Sequence, residues 1–83
     1  MRLTKFVKFR EEKFGGVLFE TLSEKVFTLN PTATAVVREI VAGRDEREII
    51  VRLQDRFDAP DGTIEREVVA LIADLRQRGL LDD

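Results

Sequence analysis

The side chains that could perform chemistry in this chain are three pairs of adjacent carboxylates. They are Glu11-Glu12, Asp45-Glu46 and Asp82-Asp83. Paired carboxylates can act as general acid and general base, or they can hold a hard metal ion. The sequence assigns all three pairs to loops or to the chain end, and none has a partner base or a further ligand at a fixed spacing. The pairs therefore predict solvated charge and neither a catalytic residue nor a metal ligand.

Gly15-Gly16 is the other local motif to consider, since glycine-rich loops can cradle phosphate groups. Neither G-x-x-x-x-G-K-[ST] nor G-x-G-x-x-G surrounds this pair, so it is interpreted as a flexible entry into a strand. The chain also contains no cysteine and no histidine. This composition removes disulfides, thiolate nucleophiles, zinc fingers and imidazole bases. We expect a binding module with no cofactor, rather than an enzyme.

The composition describes one small domain that spans residues 1–83. Hydrophobic residues make up 43% of the chain and charged residues 36%, a balance typical of folded soluble proteins. The net charge of −2 argues against nucleic acid as a partner, because such binders usually carry a basic face. The start, MRLTKF, has no apolar signal core, and no segment approaches the roughly 20 apolar residues of a membrane span. The sequence therefore predicts a cytoplasmic protein without a membrane partner.

Three β-prone runs come before the helical part of the chain, and they predict strands near 6–9, 16–22 and 25–29. The stretch REEK, residues 10–13, is interpreted as a polar connection. The turn between the second and third strands is either Ser23-Glu24 or residues 22–25.

Both turns predict the same hairpin register, with Thr21 opposite Val26 and Phe19 opposite Thr28. Each strand then divides its side chains between two faces. One face carries Leu18, Leu22, Phe27 and Leu29, and the other carries Val17, Phe19 and Val26. We expect the face with Leu18, Phe27 and Leu29 to lie on the helices.

Apolar residues at helical spacing predict three helices near 31–42, 46–57 and 63–78. Asn30 is a good N-cap for the first helix, and Gly43 can end that helix in a left-handed conformation. Asp45 and Glu48 resemble a capping box for the second helix. Gly79 can end the third helix in a Schellman motif.

The third strand, residues 25–29, has no later strand to pair with, so its outer backbone edge is expected to be open. Such an edge is either protected or used to bind an extended peptide. Ala70 and Ala73 lie beside the main apolar stripe of the third helix. This helix can pack between two neighbours in a small core, and the small side chains can let an external chain approach closely. The two interpretations are compatible, since a groove wall is also a core wall.

The order of these features resembles the PqqD family, also called precursor-peptide recognition elements. The matching residues are the strand Gly-Gly-Val-Leu-Phe at 15–19, Leu-Asn-Pro-Thr-Ala at 29–33, the Ile/Val-rich helix closed by Gly43, Asp-Glu-Arg-Glu-Ile-Ile at 45–50, and Leu-x-x-x-Gly-Leu-Leu at 75–81. Members serve the biosynthesis of ribosomally made, post-translationally modified peptides. The resemblance spans about residues 6–81 and is closer to members that work beside radical SAM enzymes than to lasso-peptide members.

This resemblance implies an α+β fold similar to a winged helix-turn-helix, with a three-stranded antiparallel sheet followed by three helices. It also implies that the leader segment of a precursor peptide adds as a further strand to the third strand and packs against the third helix. The module then presents the peptide to a modifying enzyme, here a radical SAM enzyme. Carried onto this chain, the peptide-binding residues are Lys25, Val26, Phe27, Thr28, Leu29, Glu67, Ala70, Leu71, Asp74 and Arg78.

Two other classes of function stay open on the sequence. A winged-helix DNA-binding or protein-interaction domain would need a basic face, whereas the arginines of the third helix are balanced by acids. A structural subunit of a larger enzyme would co-purify with that enzyme and show no peptide affinity. We expect a monomer as the working form, with dimers at high concentration, because pairing through residues 25–29 would occupy the peptide edge.

Overall fold

A three-stranded antiparallel sheet and three helices make up most of the chain, and the computed structural model describes residues 1–82. The elements in chain order are β1 Arg2–Leu3, β2 Val7–Glu12, β3 Gly15–Glu20, β4 Lys25–Leu29, α1 Pro31–Val41, α2 Glu46–Arg56, α3 Thr63–Gln77 and β5 Leu81–Asp82. The sheet has the order β2-β3-β4. The predicted α+β class, similar to a winged helix-turn-helix, is confirmed.

A second, two-stranded sheet joins the two ends of the described chain, and the sequence did not predict it. Leu3 pairs with Leu81 and Arg2 pairs with Asp82. Gly79 makes this pairing possible, because its left-handed φ of 76° turns the chain back after α3. The Leu80 N–H then donates to the Leu75 carbonyl at 2.9 Å, as the Schellman prediction requires. Strands of two residues are too short to leave a periodic signal in the sequence.

The first strand of the main sheet is longer than predicted, because β2 continues to Glu12 through the polar stretch REEK. A two-residue connection then leads into β3, so that Glu12 pairs with Gly15. Charged side chains fit this position because β2 lies at an edge of the sheet. The interpretation of REEK as a connection was wrong for residues 10–12, and only Lys13 of that stretch lies in the connection.

The predicted hairpin register was wrong by two residues. Phe19 lies opposite Val26 rather than opposite Thr28, and four residues, 21–24, connect β3 to β4. Glu20 sets this longer connection, since its carboxylate accepts hydrogen bonds from Leu22 N at 2.6 Å and from Ser23 Oγ at 2.6 Å. These bonds hold the pKa of Glu20 below its usual value. Sequence reasoning weighed only local turn propensity and missed this carboxylate.

A shift of two residues leaves every side chain on its predicted face, because side chains alternate with a period of two. Leu18 is fully buried and Leu29 is nearly so, while Phe27 packs half-buried against the core. The face that we expected to lie on the helices therefore does so. Leu22 is the exception, since it lies in the connection and is 70% exposed.

The first two helices begin with the capping interactions that their sequences predict, and α1 ends as predicted. The Asn30 side chain accepts a hydrogen bond from Ala33 N at 2.8 Å, and Asp45 forms the capping box with Glu48. Gly43 has the left-handed φ of 89°. With these ends fixed, the helices bury one stripe each against β3 and against one another. The most deeply buried side chains of the core are Leu18, Val36, Val37, Ile40, Ile49, Leu53, Val68 and Ile72.

One carboxylate is buried beside this core. The Glu39 side chain is 5% exposed and accepts hydrogen bonds from Arg44 Nε at 2.8 Å and from Arg52 Nε at 2.6 Å. Burial raises the pKa of Glu39, but the hydrogen bonds and charges of Arg52 and Arg44 outweigh burial and hold it below the usual value. This cluster ties α1 to α2 and to the segment between them.

We expect Glu39→Gln to lower the free energy of unfolding at neutral pH by about 2 kcal/mol, because charged hydrogen bonds are lost. The folded pKa lies below the unfolded one, so the stability from this carboxylate is present above the unfolded pKa and disappears as the pH falls through the folded pKa. Urea unfolding should therefore show a deficit at pH 7 that shrinks steadily on acidification below about pH 4. A deficit of constant size across that range would contradict the ion-pair explanation.

Candidate functional site

The main sheet has two edges, β2 and β4, and within residues 1–82 a turn engages an outward backbone group only at the β2 edge. At the β2 edge, Val7 N donates to the Thr4 carbonyl at 3.0 Å, and Arg38 Nη2 donates to Glu11 Oε1 at 2.6 Å. At the other edge, no strand within residues 1–82 pairs with the outer side of β4. The outer side of β2 has no partner strand in the described part of the chain either, but β2 carries charged side chains, which disfavour pairing with another chain. The β4 edge is therefore the better candidate for binding an extended peptide.

The strand registers identify which backbone groups of β4 point to this open edge. The two-residue connection between β2 and β3 is closed by the hydrogen-bonded pair Glu12 and Gly15. Hydrogen-bonded pairs then alternate along both ladders, so residues 25, 27 and 29 bond inward to β3. The N–H and C=O groups of Val26 and Thr28 therefore face outward, which gives two donors and two acceptors.

A groove runs between β4 and α3 beside these outward groups. Its volume is about 400 Å³, and its lining combines the apolar side chains of both elements. The lining residues are Val26, Phe27, Thr28, Leu29, Asn30, Ala33, Leu71, Asp74, Leu75, Arg78 and Leu80. The groove has an open backbone edge on one side and a helix wall on the other, which is the arrangement that strand addition requires.

The groove continues past the end of β4 along α1 and α3. This second part has a volume of about 370 Å³ and shares Asn30, Ala33 and Leu71 with the first part. Glu67 and Ala70 form its wall on α3. We call the two parts together the edge groove. Ala70 is therefore part of a groove wall. This position agrees with the interpretation that its small side chain lets an external chain approach closely.

The charged residues of the edge groove lie towards its two ends. Arg78 Nε donates to Asp74 Oδ2 at 3.0 Å, and the Arg78 guanidinium lies 5.3 Å from the centre of the Phe27 ring. This cation–π contact connects α3 to β4. Glu67 lies beyond Leu71, in the part of the groove near Asn30. Within residues 1–82, Glu67 makes neither a hydrogen bond nor an ion pair with another side chain.

Nine of the ten peptide-binding residues named from the sequence line the edge groove. They are residues 26–29 from β4, together with Glu67, Ala70, Leu71, Asp74 and Arg78. Lys25 lies outside the lining, at the start of β4 opposite Glu20. Ala73 is exposed and also lies outside it.

Sequence reasoning missed the floor of the groove. The remaining lining residues are Asn30, Thr32, Ala33, Val36, Leu75 and Leu80. The run Asn-Pro-Thr-Ala could have given the signal, because a small residue one turn into α1 leaves room beside the cap. It was interpreted only as a helix start.

A second apolar concavity lies on the outer face of the sheet. It has a volume of about 560 Å³ and is lined by Lys8, Phe9, Arg10, Val17, Phe19 and Val26. A sheet face offers side chains alone, since its backbone groups are used within the ladders. An extended peptide would gain no main-chain hydrogen bonds there, so the edge groove is the stronger candidate for a peptide site.

The described part of the chain offers little to other ligands. Among residues 1–82, no group of three or more His, Cys, Asp or Glu side chains could hold a metal ion. In the same range, no helix is both long enough and apolar enough to cross a membrane.

Known proteins share the sequence pattern and the fold described above. The sequence model of the family described as "Coenzyme PQQ synthesis protein D (PqqD)" matches residues 15–81, whereas no curated protein sequence matches the chain. The structure described as "Lasso peptide synthetase B1 complexed with the leader peptide" is 24% identical, with a TM-score of 0.83 over 95% of this chain and 93% of that one. "TbiB1 in Complex with the TbiA(beta) Leader Peptide" is 18% identical, with a TM-score of 0.88 over 99% and 95% of the two chains. At these identities, both likenesses show the fold.

Proposed function

Because the chain belongs to the PqqD family, we propose that it binds the leader segment of a ribosomal precursor peptide as an additional strand on β4. The single observation that carries this proposal is the open edge of β4 beside the edge groove. The proposed site consists of the ten residues named from the sequence together with Asn30 and Ala33.

Strand addition uses the two kinds of recognition that the edge groove offers. The backbone groups of Val26 and Thr28 can form about four hydrogen bonds with any extended peptide, whatever its side chains. Alternate side chains of that peptide would point into the groove, where Phe27, Leu29 and Leu71 provide apolar contacts. Backbone pairing thus supplies affinity, and the groove supplies selectivity. Both solved structures are described as complexes with leader peptides, which supports a leader peptide as the ligand here.

The proposed role of the domain is delivery, with residues 1–83 acting as a monomeric, non-catalytic carrier. It would hold the leader while a separate enzyme modifies the rest of the precursor. The amino-acid sequence of the β3 and β4 segments is closer to that of family members that work beside radical SAM enzymes, which favours such an enzyme as the partner. Co-purification of the chain with such an enzyme, encoded beside a short precursor peptide, would test this step directly.

DNA binding through a winged helix is the less favoured alternative. The exposed surface of α3 carries Glu65, Glu67 and Asp74 among its arginines, so it would repel phosphates as much as attract them. A duplex-DNA mobility shift that weakens steeply with salt would revive this function.

Ala70→Trp should weaken leader binding at least about tenfold without unfolding the domain, because the exposed Ala70 lines the edge groove and an indole there would occupy the space of a leader side chain. Calorimetric titration with the leader encoded beside this gene measures the effect, and circular dichroism checks the fold.

Ala73→Trp is the matched control, since Ala73 is also exposed on α3 but lies outside the groove lining. We expect this variant to bind like the parent. Equal losses in the two variants would contradict a role for the groove.

A further inference from the structure

The two ends of the edge groove carry different side chains, because α3 runs antiparallel to β4 along it. Arg78 lies over Phe27, in the middle of the strand. Glu67 lies with Asn30, just past the end of the strand. These two α3 side chains are 11 residues apart, which corresponds to about 16 Å along a helix. An extended chain of six or seven residues covers a similar length.

A peptide strand on β4 presents every second side chain to this groove. Residues of the peptide that pair with Phe27 and Leu29 share the inner face of the sheet with those side chains. The next inward position in one direction lies opposite Lys25, two residues along the strand from Phe27, whose ring contacts Arg78. The next inward position in the other direction lies beyond Leu29, close to Glu67.

The charges at the two ends are able to pair with a ligand. Glu67 has no partner within residues 1–82, so its carboxylate is open to a basic side chain. Arg78 donates from Nε to Asp74, and within residues 1–82 its two Nη groups donate no hydrogen bond, so they can bind an acidic side chain. Lys25 adds little to this end, because it lies opposite Glu20, whose carboxylate attracts it.

Building on the proposed function, we infer that the groove selects leaders by the order of their inward-facing side chains. For a leader antiparallel to β4, that order from the N-terminal to the C-terminal side is basic, apolar, apolar, acidic, with one residue between successive members. The basic side chain pairs with Glu67, the two apolar side chains contact Leu29, Leu71 and Phe27, and the acidic one pairs with Arg78. Antiparallel pairing is chosen because its ladder is the more stable one.

Two peptides of identical composition test this inference against the full chain. The first has Lys, Leu, Ile and Glu at its first, third, fifth and seventh positions with threonine between them, and the second exchanges Lys and Glu. Both carry the same flexible labelled tail. Fluorescence anisotropy at low salt should show the first peptide binding about tenfold more tightly, since two partly exposed ion pairs are exchanged for two repulsions. The ratio should shrink towards one in 0.5 M salt.

Reversing the charge of one groove residue tests whether the preference for the first peptide arises in the edge groove. Glu67→Lys should lower the preference for the first peptide about threefold or more. Glu65→Lys makes the same change in net charge on the same helix outside the groove lining, and it should leave the preference unchanged. Equal effects of the two variants would mean that only net charge is sensed and would overturn the inference.

Thr28→Pro distinguishes failure of this inference from failure of the proposed function. If the two peptides bind equally, or the second more tightly, and Thr28→Pro abolishes both, the edge is used but the charge order is wrong. If both peptides keep their affinity for folded Thr28→Pro, or if neither the peptides nor the native leader bind at all, strand addition itself is wrong.

Discussion

Thr28→Pro should abolish leader binding while the domain stays folded. The Thr28 N–H points to the open edge of β4, so proline there removes no hydrogen bond within the sheet. It does remove one donor for the added strand and leaves the peptide carbonyl unpaired, at a cost of about 1–3 kcal/mol. The ring also obstructs the approaching chain. We expect calorimetric titration to show affinity reduced by at least about 30-fold, with an unchanged circular dichroism spectrum.

Two control variants separate the backbone effect from other causes. Thr28→Ala removes the exposed side chain and keeps the N–H, so it should bind almost like the parent. Phe27→Pro removes an N–H that bonds inward to β3, and it should damage the fold itself. A folded Thr28→Pro variant that binds with parental affinity would mean that the edge of β4 is not the peptide site.

Gly15→Ala should be among the most destabilising single substitutions in the chain, although it adds only one methyl group. Gly15 has a φ of 149°, and a Cβ built there would lie 2.1 Å from the Leu29 carbonyl oxygen. Either β4 must move away from the start of β3 or the backbone must leave this conformation. We expect the free energy of unfolding to fall by at least about 3 kcal/mol in a urea titration.

Gly43→Ala is the matched control for conformational strain alone. Gly43 also has a positive φ, of 89°, but nothing lies within 4 Å of a Cβ placed on it. Its substitution should cost about 1 kcal/mol, the usual penalty for a left-handed alanine. Equal costs at the two positions would show that contact between Gly15 and Leu29 is unimportant.

The faces of the strands could be predicted from the sequence even though the register could not. Alternation alone assigns Leu18 and Leu29 to the core, and a slip of two residues does not change that assignment. The register instead depends on Glu20, whose side chain bonds backbone groups two and three residues later. This contact depends on the position of the Glu20 side chain in three dimensions, and the turn propensities of residue types carry no information about that position.

The open edge could likewise be predicted, since it requires only that no strand follows β4 before the helices. The groove floor could not, because it depends on how α1 and α3 approach each other. Glu39 shows the same limit of prediction from sequence, since its contacts also depend on how the helices pack. Its position within the apolar stripe of α1 suggests a buried charge, but Arg52, 13 residues later, becomes its partner only through the packing of α2.

The short sheet formed by β1 and β5 makes this fold modular. Arg2 and Asp82 face each other across two paired strands, so the chain enters and leaves the domain at the same place. A domain with adjacent ends can be spliced into a surface loop of another protein, or circularly permuted through a short linker, without opening its core. A domain that performs the proposed peptide binding with this geometry can occur equally well as a free subunit or as a cassette built into a larger protein.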